Sequence, residues 1–232
     1  MSIFPTTRWS IFSHRTDEAD RKEIWDYMAR VYWSPLQLVA VGKQLSPEDA
    51  DDAVQQFFKH LLEENFIDKP DREFGKLRSF LRWKFDRFLL DQRRKSASQK
   101  RGGSAQHVDH EDVELSARDY ERPDEAYDRQ CALQMFEEAV RRTQSYYRTR
   151  PHHFETLLAV AEGNTSAADA WKKLDCTPGN GRVALSRFRS RLEQNLKAII
   201  RESCDPQFPE ILEEELRLVK RLRGNREERG SE

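Results

Sequence analysis

The chain predicts an all-α protein made of two helical domains. Three features carry that expectation: apolar residues recur at helical spacing along most of the 232 residues, glycine is scarce at nine, and the Val/Thr alternation that strands require is nearly absent. A composition of 35% charged and 37% hydrophobic residues describes a protein that lives in water. No apolar run approaches the ~20 residues a membrane-spanning helix requires, and the start MSIFPTTRWS lacks the basic-then-apolar plan of a secretory signal. The expectation is therefore no membrane association and a cytoplasmic location. Cys131, Cys176 and Cys204 are odd in number and scattered, without a C-x-x-C pair, which suits a reducing compartment and argues against a disulfide scaffold or zinc ribbon.

Taken in order, the first helix is expected from about Asp17 to Val41, where Ile24, Met28, Val31, Tyr32, Pro35 and Val39 recur at helical spacing and Pro35 should kink or divide the segment. The second opens on Ser46-Pro47-Glu48-Asp49, which supplies a capping hydroxyl, a proline at the first helical position and acids near the positive helix end. Ala50, Ala53, Val54, Phe57, Phe58, Leu61 and Leu62 then form one stripe to be buried. After a loop with Pro70 and Gly75, a third helix runs from about Leu77 to Lys95 on an apolar face of Leu77, Phe80, Leu81, Phe85 and Phe88.

Residues 1–100 thus read as the first domain and 101–124 as an acidic flexible linker without a sustained apolar period. Residues 125–204 read as the second domain and 205–232 as a helical extension, with Ile211, Leu212, Leu216 and Val219 on one face. In the second domain, Ala132, Met135, Phe136, Ala139 and Val140 mark one helix, and Phe154, Leu157, Leu158 and Ala161 mark another. Ser166-x-x-Asp169 caps a short helix ending near Leu174, Asp175-Cys176 makes a tight turn, and Thr177-Pro178 opens a helix that reaches Ile200. A short helix, a tight turn and a long helix spell a helix-turn-helix.

Net charge is only -1, but the charge is segregated. Arg72 to Arg101 carries eleven bases against three acids, Asp109 to Asp128 nine acids against two bases, and Pro178 to Arg201 six bases against one acid. Two basic blocks around an acidic one suit a protein that touches nucleic acid at two places. On the long last helix, Leu185, Phe188, Leu192, Leu196 and Ile199 fall on the core side. The opposite side carries Asn180, Val183, Ser186 and Arg187 with Arg182 on its flank, residue types able to read base edges in a major groove. A solvated basic face is the alternative reading.

The third helix sets Trp83, Arg87, Leu90 and Arg94 opposite its apolar stripe, where unpaired bases could stack on the indole while guanidinium groups follow phosphates. Packing of Trp83 against the linker or the second domain would explain the same pattern. The second helix turns Asp52, Gln55, Gln56 and Lys59 to solvent, a patch able to accept arginines from a helical partner. Catalytic sets are weak. His107 and His110 with Asp109, Glu111 and Asp112 read as a solvated acidic tract rather than a metal site, and neither a phosphate-binding glycine loop nor a G-x-S-x-G elbow occurs. Asn164-Thr165-Ser166 fits the glycosylation pattern, which is idle in a cytoplasmic protein. The expectation is no catalysis, no metal and no cofactor.

Together these segments resemble bacterial sigma factors of the extracytoplasmic-function type, across both domains. SPEDADDAVQQFFKHLL is similar to the family helix that docks on the clamp helices of the largest polymerase subunit, and FGKLRSFLRWKFDRFLLDQRRK to the segment that melts and reads the minus-ten element. LDCTPGNGRVALSRFRSRL is similar to the minus-thirty-five helix-turn-helix. The TRWS start, QKRGG and the extension DPQFPEILEEELRLVKRL resemble the planctomycete subgroup.

The resemblance implies a sigma domain 2-like bundle and a sigma domain 4-like helix-turn-helix, with core RNA polymerase and promoter DNA, duplex and melted, as partners. It implies polymerase contacts from Asp49, Asp52, Gln55 and Gln56, beside which Lys59 of the same solvent face is expected to lie. Minus-ten contacts would come from the loop between Asn65 and Gly75 and from Arg78, Trp83, Arg87 and Arg94. Minus-thirty-five contacts would come from Arg182, Val183, Ser186, Arg187 and Arg189, to which the helix-face reading adds Asn180. The acidic linker would thread polymerase channels otherwise held by nucleic acid, and an anti-sigma protein or the C-terminal extension would regulate.

The chain departs from the family in three places. Arg87 stands where many members have asparagine, Asp175 replaces the usual turn glycine, and Asn180-Gly181 replaces an Ala-Val pair. Gly181 costs about 1 kcal/mol of helix stability relative to alanine, so the first turn of its helix is expected to order fully only on DNA. The competing functions are a stand-alone helix-turn-helix regulator that binds duplex DNA without polymerase, and a helical nucleic-acid enzyme built on the His107 to Asp112 run.

Overall fold

A computed structural model describes residues 18–64, 75–100, 125–204, 210 and 212–219. The protein is all-α: 87% of these residues are helical, and the sole extended pairing among them is a single bridge between Lys76 and Cys204. The expected contacts of the loop between Asn65 and Gly75, the linker 101–124 with its His107 to Asp112 run, and the chain start lie outside the described residues, apart from Gly75 itself. Seven helices follow in order: α1 Glu18–Gly42, α2 Pro47–Glu63, α3 Leu77–Lys100, α4 Glu125–Tyr146, α5 Pro151–Ala161, α6 Ala167–Lys173 and α7 Pro178–Ser203. A further helical stretch covers 212–219. By contact the chain separates into two compact units, Met1–Cys131 with Ser203–Ile211, and Ala132–Glu202 with Leu212–Glu232.

The first unit is built on α1, α2 and α3. Ile24, Met28, Val31, Tyr32 and Leu36 of α1, Val54, Phe57 and Leu61 of α2, and Leu77, Leu81 and Phe85 of α3 are fully buried. Phe57 sits at the centre of the aromatic packing, with ring centroids 5.0 Å from Phe85 and 5.6 Å from Phe88. Two expectations need correction. Pro35 does not divide α1, which runs continuously through it, and Pro35 and Leu36 are both buried. Leu62, assigned to the buried stripe of α2, is 49% exposed, because the last turn rotates it past the edge of the core.

Polar groups fix the connections in this unit. Ser46 accepts from the backbone N–H of Asp49 at 3.1 Å and donates to the Asp49 carboxylate at 2.8 Å, closing the start of α2. The preceding corner passes through Gln44 in the left-handed region at φ 68°. α3 holds that corner from below: Lys43 Nζ lies 2.9 Å from the buried Asp86 as an ion pair, Arg82 donates to the same carboxylate at 3.0 Å, and Arg93 donates to the Lys43 carbonyl at 2.9 Å. Asp51 accepts from Trp33 Nε1 and Gln37 Nε2, both at 2.7 Å, and ties α1 to α2.

The first turns of α4 and the end of α7 complete the unit. Tyr127 donates to the Arg78 carbonyl at 2.9 Å, Arg82 lies 5.5 Å from the Tyr127 ring centroid, and the Arg78 guanidinium pairs with Asp128. Tyr27 and Tyr32 both hydrogen-bond Ser203 Oγ, at 3.0 and 3.2 Å, and Cys204 then bridges to Lys76. Burial, reinforced by the neighbouring Tyr27, holds the Tyr32 phenol well above its usual pKa of 10.0, against the opposing pull of the Ser203 hydrogen bond. Burial raises Tyr127 in the same way, with Cys131 and Tyr32 adding and Arg78 opposing.

In the second unit Phe188 of α7 is fully buried, 5.8 Å from the Tyr147 ring and 5.9 Å from Phe154 of α5. The buried Glu138 of α4 is paired by Arg141 at 2.6 Å and Arg142 at 3.2 Å. Arg142 also binds Glu202 of α7 through two hydrogen bonds of 3.0 and 2.8 Å, and Asn195 donates to Thr143 at 2.9 Å. Two charge-assisted bonds in parallel set the register of α4 against α7 more sharply than apolar contact alone.

The buried phenols make alkaline stability a direct test of the packing in the first unit. Above the ordinary phenol pKa of 10.0 the unfolded chain releases protons that native Tyr32 and Tyr127 retain, so the unfolded state binds fewer protons and stability falls with rising pH. The stability is whole below pH ~10 and is lost towards the higher folded pKa values, at about 1.4 kcal/mol per pH unit for each tyrosine. Urea midpoints followed from neutral to alkaline pH should show this decline. A Tyr32→Phe, Tyr127→Phe variant should start about 1 kcal/mol lower for each hydrogen bond removed and decline less steeply.

Candidate nucleic-acid interface

The helix-turn-helix is built from α6, a left-handed turn and α7. Ser166 accepts from the Asp169 backbone N–H at 3.1 Å and donates to its carboxylate at 2.6 Å, so the seven-residue α6 begins on a closed cap. Lys172 and Lys173 occupy its last turn, where cations complement the helix dipole. Asp175 takes the left-handed conformation at φ 46°, filling the turn position where glycine would be free of strain. Thr177 Oγ1 then accepts from the Asn180 N–H at 3.3 Å and Pro178 begins α7.

Gly181 gives this turn a different meaning. It is buried, and a Cβ there would fall within 3 Å of three carbons of the Trp171 indole, itself only 6% exposed. α7 is helical from Pro178, and the absent side chain gives Gly181 a role the helix cost alone does not reveal: it lets Trp171 lie against the α7 backbone. Sequence reasoning passed over Trp171. The signal available was a tryptophan and a helix-interior glycine ten residues apart across a tight turn.

With that contact on one side, Asn180, Arg182, Val183, Ser186, Arg187 and Arg189 are all exposed, Val183 at 49%. At 100° per residue Val183, Ser186 and Ser190 form a ridge of small side chains along the middle of the outer face. Arg187 and Arg191 border it on one side and Arg182 and Arg189 on the other. A low ridge between two rows of guanidinium groups has the shape and charge needed to enter a groove bounded by phosphates.

The first unit presents two separate faces. On α3, Arg87 and Arg94 are exposed, Leu90 is 45% exposed, and Trp83 is half-buried with its ring 6.0 Å from Phe80 and the Arg87 guanidinium 5.2 Å from its centroid. Trp83 therefore packs within its own helix while keeping part of its indole open. Arg78 is a correction: it is 8% exposed and pairs with Asp128, so it does not belong to this outer face. Breaking that buried pair would leave Asp128 without its counter-ion, which disfavours release of the side chain to a ligand.

On α2, Asp49, Asp52, Gln55, Gln56 and Lys59 are all exposed. Asp49, Asp52 and Gln56 line a groove of about 590 Å³ whose floor includes Ala53, Phe88 and Leu89 and whose far wall carries Gln92 and Arg93 of α3. Gln55 and Lys59 are not part of its lining. The acidic wall was legible in the sequence and the α3 wall was not, because Gln92 and Arg93 come opposite α2 only once the two helices have packed. Among the described residues no group of three or more His, Cys, Asp or Glu side chains could hold a metal ion, and no helix is long and apolar enough to cross a membrane.

No family model matches the chain, and neither the curated proteins nor the solved structures contain a match to it.

The Trp171–Gly181 contact separates two glycines that look alike in sequence. Gly181→Ala forces the indole away and should lower the stability of the second unit by about 1–3 kcal/mol, more than the helix propensity it gains. Gly179, with nothing within 4 Å of an added Cβ, should be unchanged or slightly stabilised by alanine. Thermal unfolding of the two single variants followed by Trp171 fluorescence, in a background with the other tryptophans replaced by phenylalanine, gives the comparison.

Proposed function

We propose that the chain is a transcription initiation factor of the sigma type, which binds bacterial core RNA polymerase and directs it to promoters through two DNA elements. The observation that carries the proposal is the outer face of α7, a small-residue ridge between two arginine rows, aimed by the Trp171–Gly181 contact. In this reading Asn180, Arg182, Val183, Ser186, Arg187 and Arg189 meet the minus-thirty-five duplex. Arginine reads guanine bidentately, asparagine reads adenine, and Val183 meets thymine methyl groups.

The first unit takes the minus-ten element. The open part of Trp83 offers a stacking surface, Arg87 and Arg94 neutralise phosphates, and capture of bases there offsets the few kcal/mol that unstacking costs. No bond is made or broken by the chain. Strand separation comes from binding energy, and the polymerase supplies the chemistry. Asp52 and Gln56, on the wall of the α2–α3 groove, dock on the polymerase, the carboxylate by charge-assisted pairs with arginine and the amide by hydrogen bonds. Resemblance of SPEDADDAVQQFFKHLL to the polymerase-docking helix of sigma factors supports that assignment. A cytoplasmic location follows from the same reading.

The test is co-elution of the full chain with bacterial core RNA polymerase, comparing wild type with an Asp52→Ala, Gln56→Ala variant. Both replaced residues are exposed, so the variant should fold normally, as circular dichroism would verify. Wild type should co-elute and the variant should bind at least tenfold more weakly, about 1.4 kcal/mol. Absence of wild-type co-elution, also after removal of residues beyond Cys204, would overturn the proposal. Sequence-selective DNA binding without polymerase would then mark a stand-alone regulator.

A further inference from the structure

The arginines of the second unit fall into two groups. Arg141 and Arg142 are consumed by Glu138 and Glu202. Arg148, Arg150, Arg187 and Arg191 take part in no ion pair among the described residues. These four belong to two segments, 144–153 and 182–191, that together hold six arginines, two histidines and no acid.

Packing brings the two segments together. Tyr147 turns inward, 6.2 Å from Phe154 and 5.8 Å from Phe188, and so seats the end of α4 on the middle of α7. Its neighbour Tyr146 stays 61% exposed, and the Arg191 guanidinium lies 3.8 Å from its ring centroid. A guanidinium stacked on an aromatic ring loses much of its rotamer freedom while its N–H groups stay in the plane, free for acceptors. Arg191 is one turn beyond Arg187, about 6 Å along the axis, on the flank of the ridge formed by Val183 and Ser186. Arg148 and Arg150 are exposed in the turn that follows Tyr146.

We propose that Arg191, held on Tyr146, acts with Arg148 and Arg150 of the α4–α5 turn as a clamp on the phosphate backbone of the duplex read by α7. This rests on the duplex-binding reading above and extends it to residues outside the helix-turn-helix. A duplex seated on the Val183–Ser186 ridge brings one of its strands along the Arg187–Arg191 flank. Cations with no acid among them suit a uniform polyanion better than a protein surface of mixed charge. The clamp is blind to sequence: it sets affinity and register, while the ridge selects bases.

The experiment is fluorescence anisotropy of the full chain on mixed-sequence duplexes about three helical turns long, measured across a salt series. Wild type is compared with an Arg148→Gln, Arg150→Gln, Arg191→Gln variant, with Tyr146→Phe and with Tyr146→Ala. The triple variant should weaken binding by the same factor on two unrelated sequences, and the slope of log K against log salt should become shallower by about 0.9 for each phosphate left without its arginine. Tyr146→Phe should keep the wild-type slope, since the ring that supports Arg191 remains, and Tyr146→Ala should flatten the slope by a fraction of that step. An unchanged slope in the triple variant, with wild type binding, overturns the clamp and leaves the duplex-binding reading standing. No wild-type binding at low salt overturns both. An unchanged DNA slope together with failure to co-elute with polymerase assigns the patch to a protein partner and overturns the clamp.

Discussion

Trp171 lies flat against α7 because residue 181 has no side chain, and the outer face of the second unit depends on that contact. A seven-residue helix has too few backbone hydrogen bonds to be stable alone, so α6 holds its place by its cap at Ser166 and by the burial of Ala170 and Trp171. The indole leans on α7 where a Cβ would otherwise stand. That close approach sets how far α7 is turned, and therefore which of its residues form the ridge and which form the arginine rows. Glycine in a helix interior is a cost in isolation, and here it is the condition for the packing.

The same economy governs charge. Formal net charge is -1, yet the arginines do different work according to what packing brings beside them. Arg78 and Arg142 are bound to carboxylates of other helices and hold helices together, while Arg141 pairs with Glu138 within α4. Arg82 is paired with Asp86 beside the corner between α1 and α2. Arg182, Arg187, Arg189 and Arg191, with Arg148 and Arg150, take part in no ion pair among the described residues. In the second unit these are the arginines open to a polyanion, and they lie on α7 and the turn against which α7 packs.

Buried polar groups give the first unit its specificity of arrangement. Asp86, Arg78, Ser203 and the phenols of Tyr27, Tyr32 and Tyr127 each find a partner supplied by a distant part of the chain. An unpaired polar group in such a site would cost roughly 1–3 kcal/mol, so alternative packings of the same apolar faces are penalised. Hydrophobic burial makes the bundle compact, and these pairs select one arrangement of it.

Much of this was legible in the chain itself, because local physics wrote it. Apolar periodicity, the caps at Ser46 and Ser166, and the Thr177-Pro178 start specified most helices and their buried faces to within a turn, since each signal acts over three or four residues; α3 runs on to Lys100, past the expected end at Lys95. The outward position of Asn180, Val183, Ser186 and Arg187 followed from the same period. What the sequence could not decide were the events between residues far apart. Arg78 looked like its neighbours on α3 until Asp128 came beside it, Leu62 looked buried until the edge of the core passed it by, and Gly181 looked like a weakness until Trp171 filled its place. Periodicity determines the face on which a side chain lies; only the packed structure determines what stands opposite, and pairing and close contact are properties of two surfaces rather than one.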